Sequence, residues 1–104
     1  MIAEFRAARP ILRPVPGNLA PTDAEVMAVA LKAVGFVVSH DKLFARFTTI
    51  TGAGVAELGS GIHDKAFLGG VLDFILADEP TAVAFAEAAD IDPFLPLAVR
   101  TRLP

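Results

Sequence analysis

The amino-acid sequence predicts an all-α fold, a compact bundle of five to six short helices. On a helical projection, the apolar side chains of residues 64–78 cover an arc of roughly 200°, wider than the ~100° stripe of a surface helix. Hydrophobic residues make up 54% of the 104 residues, above the ~45–50% of average proteins. Helix start and stop signals recur along the chain, whereas only residues 48–51 resemble a strand.

Residues 1–20 differ in composition from the rest of the chain. Pro10, Pro14 and Pro16 disfavour a continuous helix and favour extended backbone. We therefore expect a flexible proline-rich arm over 1–20 and one helical domain over 21–104. The arm contains three arginines and one glutamate, so the acidic side chains behind the net charge of −3 lie mainly in the domain. An acidic domain without a basic stripe argues against nucleic-acid binding.

The first helix of the domain has a defined start. Thr22 and Glu25 have the spacing of a capping box, in which each side chain accepts a hydrogen bond from a backbone amide of the first turn. This signal predicts a helix over 22–39. A second helix follows and ends at Gly52. The apolar stripe predicted for the first helix consists of Met27, Ala30, Leu31, Val34 and Val38.

The rest of the domain is predicted to form shorter helices. Residues 55–62 indicate one or two turns, weakened by Gly59 and Gly61 at ~1 kcal/mol each relative to alanine. The apolar helix near 64–78 is predicted to lie at the centre of the bundle. The last three helices are predicted to begin at Asp64, Pro80 and Asp92.

The sequence offers no combination of residues that indicates catalysis. The absence of cysteine excludes disulfides, thiol catalysis and cysteine-ligated metals. The glycines at 52 and 54 lack the third glycine of a dinucleotide fingerprint, because Glu57 occupies that position. His40 and His63 each stand beside an aspartate at a helix start, where capping is the more common role. We expect no enzyme activity, no cofactor and no metal.

The apolar segments also indicate a location. The longest, over 24–38, contains Lys32 and is shorter than the ~20 residues of a membrane-spanning helix. The N-terminal residues lack the continuous apolar region of a secretion signal. The sequence therefore predicts a cytoplasmic protein without a membrane partner.

Small side chains form one narrow strip on the predicted central helix. The strip indicates a surface on which another helix, or a partner, can approach closely. Its single carboxylate, Asp73, is predicted to form a structural ion pair with Arg46 of the preceding long helix. The candidate interaction strip consists of Ala66, Gly69, Gly70, Asp73 and Ala77.

A series of short motifs runs from Lys42 onward and consists of Arg46-Phe47, Thr51-Gly52, Leu58, Phe67-Leu68, Val71-Leu72-Asp73-Phe74, Asp78-Glu79, Phe85-Ala86 and Asp92-Pro93. In these motifs the chain resembles a family of small uncharacterised bacterial proteins, found mainly in alphaproteobacteria and defined as a domain of unknown function. The resemblance covers most of residues 24–103, and the chain departs from the family pattern at Gly54, Gly59 and Lys65. It implies a helical fold and a bacterial cytoplasmic location, and it assigns no site.

Two functions remain open from the sequence. The first is a non-enzymatic protein-interaction module, with a homodimer as one form, because the chain is rich in apolar residues and lacks catalytic motifs. The alternative is a binder of a small apolar or amphipathic ligand between helices, with Arg46 or Asp73 as its polar anchor. The identity of a partner or ligand does not follow from the sequence.

Overall fold

Residues 20–104 are described by a computed structural model, in which they form six helices. No strand occurs within this range, which confirms the all-α prediction. The predicted arm lies outside the described residues except for Ala20. Within the described range, no helix combines the length and hydropathy needed to cross a bilayer. The helices are α1 (Asp23–Ser39), α2 (Asp41–Thr51), α3 (Val55–Gly61), α4 (Lys65–Leu76), α5 (Glu79–Ala89) and α6 (Leu95–Thr101).

Polar side chains begin several of these helices by accepting hydrogen bonds from amides that the first turn leaves unpaired. Thr22 Oγ1 accepts from the Glu25 amide at 3.1 Å, and Glu25 Oε1 accepts from the Thr22 amide at 2.8 Å. The predicted capping box is therefore confirmed. Asp64 and Asp78 cap α4 and α5 with their carboxylates. Gly52 ends α2 at φ 77°, in the left-handed region that glycine adopts easily.

The centre of the core lies between α1 and α4. Leu68, Leu72 and Ile75 of α4 are fully buried, and α4 packs against α1, α3, α5 and α6. This arrangement confirms that the apolar helix near 64–78 is central. The longer α1 shares that position, because it packs against α2, α4, α5 and α6.

The buried face of α1 differs from the predicted stripe. Leu31 and Val38, predicted to face the core, are 44% and 43% exposed. Apolar residues occur around most of α1, so their spacing alone does not select the face that packs. The buried residues of α1 are Val26, Val29, Ala30, Ala33, Val34, Phe36 and Val37.

The two glycines of α3 have different roles. An added Cβ at Gly61 would lie 2.5 Å from Cδ2 of Phe67, much closer than carbon atoms can pack. At Gly59, by contrast, an added Cβ would meet nothing within 4 Å. Gly61 therefore permits the close approach of the Phe67 ring, whereas Gly59 weakens the helix without a packing benefit.

The two ends of the described region meet at Arg102. Its guanidinium donates one hydrogen bond to the Pro21 carbonyl, 81 positions away, and another to the Asp23 carboxylate, 79 positions away. Leu103 beside it is buried in the same core as α1 and α4. The residues after α6 thus close the bundle against the start of α1.

Candidate functional site

The prediction that Asp73 pairs with Arg46 is wrong, because Asp73 pairs with a different arginine. Asp73 accepts two hydrogen bonds from Arg100, from Nε to Oδ1 at 2.7 Å and from Nη2 to Oδ2 at 3.1 Å. Arg46 lies over the ring of Phe74, with its Cζ 5.3 Å from the ring centroid. A guanidinium gains a favourable cation–π contact in that position without a carboxylate. The structural pair is therefore Asp73 with Arg100.

The small-residue strip of α4 is partly covered by its own domain. An added Cβ at Gly69 would lie 3.0 Å from the Pro104 carbonyl oxygen and 3.2 Å from Cζ of Arg100. Arg100 also donates to the carbonyl oxygens of Leu103 and Pro104, which holds these residues over Gly69. Intramolecular packing thus accounts for the small residue at 69. The exposed members of the strip are Ala66, Gly70, Asp73 and Ala77.

An apolar surface lies at the start of α6. Phe94 is 80% exposed and Leu97 is 56% exposed, and residues three apart lie on the same side of a helix. The Asp92 carboxylate accepts a hydrogen bond from the Phe94 amide at 2.8 Å, so the backbone that carries the ring is held in a turn. A hollow of about 350 Å³ adjoins Phe94 and is also lined by Asp92, Leu95 and Ala98. We refer to Phe94 and Leu97 as the α6 surface.

A second concavity, the α1–α5 groove, lies between α1 and α5 and has a volume of about 380 Å³. Phe36 and Phe85 are buried in its wall, with ring centroids 5.4 Å apart. Among residues 20–104, Lys32 is the one lysine or arginine that lines it, and no acidic residue of this range does so. The groove therefore combines an aromatic wall with a single strong cation. Its lining residues are Lys32, Gly35, Phe36, Ser39, His40, Phe85, Ala88 and Ala89.

One ring nitrogen of His40 forms a hydrogen bond with the backbone of α1. His40 Nδ1 lies 2.7 Å from the Phe36 carbonyl oxygen, and a carbonyl can only accept a hydrogen bond, so Nδ1 carries a proton. In the neutral ring, Nε2 then has a free lone pair and accepts hydrogen bonds. The imidazole also packs on Phe36, with ring centroids 4.5 Å apart. The structure thus fixes one tautomer of the neutral ring, in which Nε2 is the acceptor, and His40 is one of the residues that line the groove.

The adjacent carboxylates Asp78 and Glu79 lie at the start of α5, where Asp78 is the N-cap and Glu79 belongs to the first turn. Asp78 accepts hydrogen bonds from the hydroxyl and the amide of Thr81. The hydroxyl bond, followed by the amide bond, holds the pKa of Asp78 below its ordinary value of 3.8. Within residues 20–104, no group of three histidine, aspartate or glutamate side chains is placed to hold a metal ion.

Phe94, Lys32 and Gly35 become candidates only in the structure, although each has a signal in the sequence. Phe94 is a large apolar side chain between two prolines, where a regular packed helix is not expected. Lys32, Gly35 and Ser39 follow the spacing of one helix face. In addition, Gly35 interrupts the middle of α1 at a cost of ~1 kcal/mol relative to alanine.

Comparison with known proteins yields a family and no activity. Neither the curated proteins nor the solved structures compared with the chain gave a match. A family model described as protein of unknown function (DUF3572) matches residues 22–104. This match begins at the capping residue of α1 and includes all six helices. The resemblance seen in the sequence is therefore confirmed, and the chain belongs to the DUF3572 family of proteins of unknown function.

Proposed function

We propose that this protein is a non-enzymatic interaction module that self-associates through the α6 surface. The observation that carries the proposal is the 80% exposure of Phe94. Burial of apolar area contributes about 25 cal/mol per Å², and aromatic residues are enriched at the centres of protein interfaces. An exposed ring on a hydrogen-bonded turn has the character of such an anchor.

The spacing of the two exposed residues favours a second copy of the chain as the partner. A two-fold symmetric pair uses the same surface on both copies, so that a contact from one residue to another occurs twice. Antiparallel α6 helices would place Phe94 of each copy beside Leu97 of the other. Four apolar side chains that are exposed in the single chain would then be buried together.

Sedimentation equilibrium tests the self-association. We expect the wild type to change from monomer to dimer with a dissociation constant on the order of 1–100 µM, as for a small interface. Phe94→Ser should remain monomeric. Val83→Ser is the matched control, because Val83 is 44% exposed on α5 and lies outside the α6 surface. A wild type that stays monomeric, or a Phe94→Ser variant that dimerises as well as the wild type, contradicts the proposal.

We also propose that the protein acts in the bacterial cytoplasm, without nucleic acid, a membrane or a cofactor. The net charge of −3 supports this, because an acidic protein is repelled by phosphate backbones and by anionic membrane surfaces. The absence of cysteine is also compatible with a reducing compartment. Fractionation of native cells with an antibody to the protein tests the location.

A second candidate function is binding of a small amphipathic ligand, and the α1–α5 groove favours it. Its volume of about 380 Å³ lies within the ~300–1,000 Å³ of ligand pockets. The polar anchors suggested by the sequence, Arg46 and Asp73, do not line this groove, whereas Lys32 and His40 do. An anilinonaphthalene dye should fluoresce with the wild type and lose this signal in Gly35→Leu, which fills the groove. Equal fluorescence with both proteins contradicts ligand binding there.

A further inference from the structure

We infer that the α1–α5 groove takes a small aromatic carboxylic acid that carries a hydroxyl group at its far end. The carboxylate pairs with Lys32, the ring lies against Phe36 and Phe85, and the hydroxyl donates to His40 Nε2. This inference rests on the ligand-binding function above and specifies its ligand class.

The charge of the groove selects an anion. The chain contains twelve aspartates and glutamates against nine lysines and arginines, yet the part of the chain that the structure describes lines the groove with one lysine and no acidic residue. A cation in a concave site with low-dielectric walls attracts an anion more strongly than it would on a flat surface. The Lys32 end of the groove is therefore complementary to a carboxylate.

The side chains that form the walls of the groove favour a ligand that contains an aromatic ring. Phe36 and Phe85 meet at an interplanar angle of 59°, and Ala88 and Ala89 add only small apolar side chains. An added Cβ at Gly35 would meet nothing within 4 Å, so the α1 side of the groove is open beside these rings. Aromatic rings pack favourably in offset or edge-to-face arrangements against other rings. The apolar part of the ligand is therefore flat and aromatic.

The presence of His40 in the lining favours a ligand that carries a hydrogen-bond donor. Because the Phe36 carbonyl holds the Nδ1 proton, the Nε2 atom of neutral His40 accepts. Lys32 lies eight positions, or about two helical turns, before His40, and its flexible side chain lets the ammonium vary its distance from the imidazole. A phenyl ring with a short carboxylate chain and a para hydroxyl has polar ends at comparable separation. The ligand can therefore contact both ends of the groove at once.

The test uses para-hydroxyphenylpropionate as the probe. The protein contains no tryptophan or tyrosine, so the fluorescence of the phenol reports binding without a protein background. We expect a dissociation constant of about 0.1–1 mM for a ligand of this size. Lys32→Met should weaken binding of the acid about tenfold. The neutral amide analogue should bind the wild type about as weakly as the acid binds Lys32→Met. Absence of saturation below about 10 mM, or equal affinity for acid and amide, overturns the inference.

Further variants separate the groove from general effects. Gly35→Leu should abolish binding, whereas Gly70→Leu on α4 should not, although an added Cβ is equally free of contacts at both positions. The wild type should bind para-hydroxyphenylpropionate several-fold more tightly than phenylpropionate, measured by displacement of the dye. His40→Phe should remove this preference. Gly35→Leu could abolish the dye signal while the wild type shows no preference for the acid or the hydroxyl. This result would overturn the inferred ligand class and would still support ligand binding in the groove.

Discussion

Arg100 joins α6 to Asp73 of α4 through two parallel hydrogen bonds, 27 positions apart in the chain. The hydrogen bond to Asp73 raises the pKa of Arg100 above its ordinary value. The Asp73 side chain is 59% exposed, whereas that of Arg100 is 26% exposed. The ion pair thus lies partly in water. Its main effect is to orient an arginine that also holds Leu103 and Pro104.

This asymmetry gives the first prediction. Asp73→Ala should change the urea midpoint little, because exposed ion pairs contribute little to stability. Arg100→Ala should lower the midpoint more, since it also loses the hydrogen bonds to two carbonyl groups and the packing over Gly69. The double variant should resemble Arg100→Ala alone. If Asp73→Ala were as damaging as Arg100→Ala, the ion pair itself would be the stabilising element.

The second prediction compares the two glycines of α3. Gly59→Ala should stabilise the domain by about 0.5–1 kcal/mol, because its Cβ meets nothing and alanine favours the helix. Gly61→Ala should destabilise it by about 1–3 kcal/mol, because its Cβ would overlap the Phe67 ring. Urea denaturation followed by circular dichroism measures both values. Changes of the same sign in the two variants would contradict the close approach of α3 to Phe67.

The third prediction concerns the centre of the core. Leu72 is fully buried on α4, so Leu72→Ala should cost about 2–5 kcal/mol through lost burial and the cavity that remains. Val83→Ala is the control, because Val83 is 44% exposed and surface changes are usually within about 0.5 kcal/mol. Thermal and urea unfolding report both. A cost below about 1 kcal/mol for Leu72→Ala would not agree with a central α4.

The fourth prediction is an acid dependence that arises at Asp78. Its pKa in the folded protein is lowered by the hydroxyl and amide of Thr81. Stability from the charged carboxyl is therefore fully present above the ordinary pKa of 3.8 and is lost as the pH falls through the lowered value. When the pH falls from about 6 to about 2.5, the urea midpoint of Asp78→Asn should decrease less than that of the wild type.

Thr81→Val provides an independent check of the same cap, because it removes the hydroxyl that lowers the pKa of Asp78. It should also reduce the loss of stability in acid. Identical acid dependence in the wild type and both variants would show that other carboxyl groups dominate the pH response.

Much of the fold follows from local signals in the sequence. The capping box of Thr22 and Glu25 and the carboxylate caps depend on residues within one helical turn, so short sequence patterns contain them. The central position of α4 follows from its wide apolar arc. The packed face of α1 does not follow in this way, because α1 is apolar on most sides and its neighbours decide which side is buried.

The sites depend on contacts that no local pattern contains. Asp73 could pair with any of nine lysines and arginines, and the choice of Arg100 depends on how α6 crosses α4. Arg46, the predicted partner of Asp73, lies instead over the ring of Phe74, a contact that no spacing in the sequence specifies. The α1–α5 groove likewise exists only because Phe36 and Phe85 meet across two helices.

The contact of Arg102 with Pro21 and Asp23 has a consequence for biosynthesis. Translation produces α1 first, and the residue that closes the bundle over its start follows 79 positions after Asp23. At ~5–20 residues per second, this delay lasts about 4–16 s. During that time α2, α4 and α5 are synthesised and can pack on α1, whereas the part of α1 that α6 covers stays open to a ribosome-associated chaperone. The nascent chain can complete its native contacts only after Arg102 has left the exit tunnel.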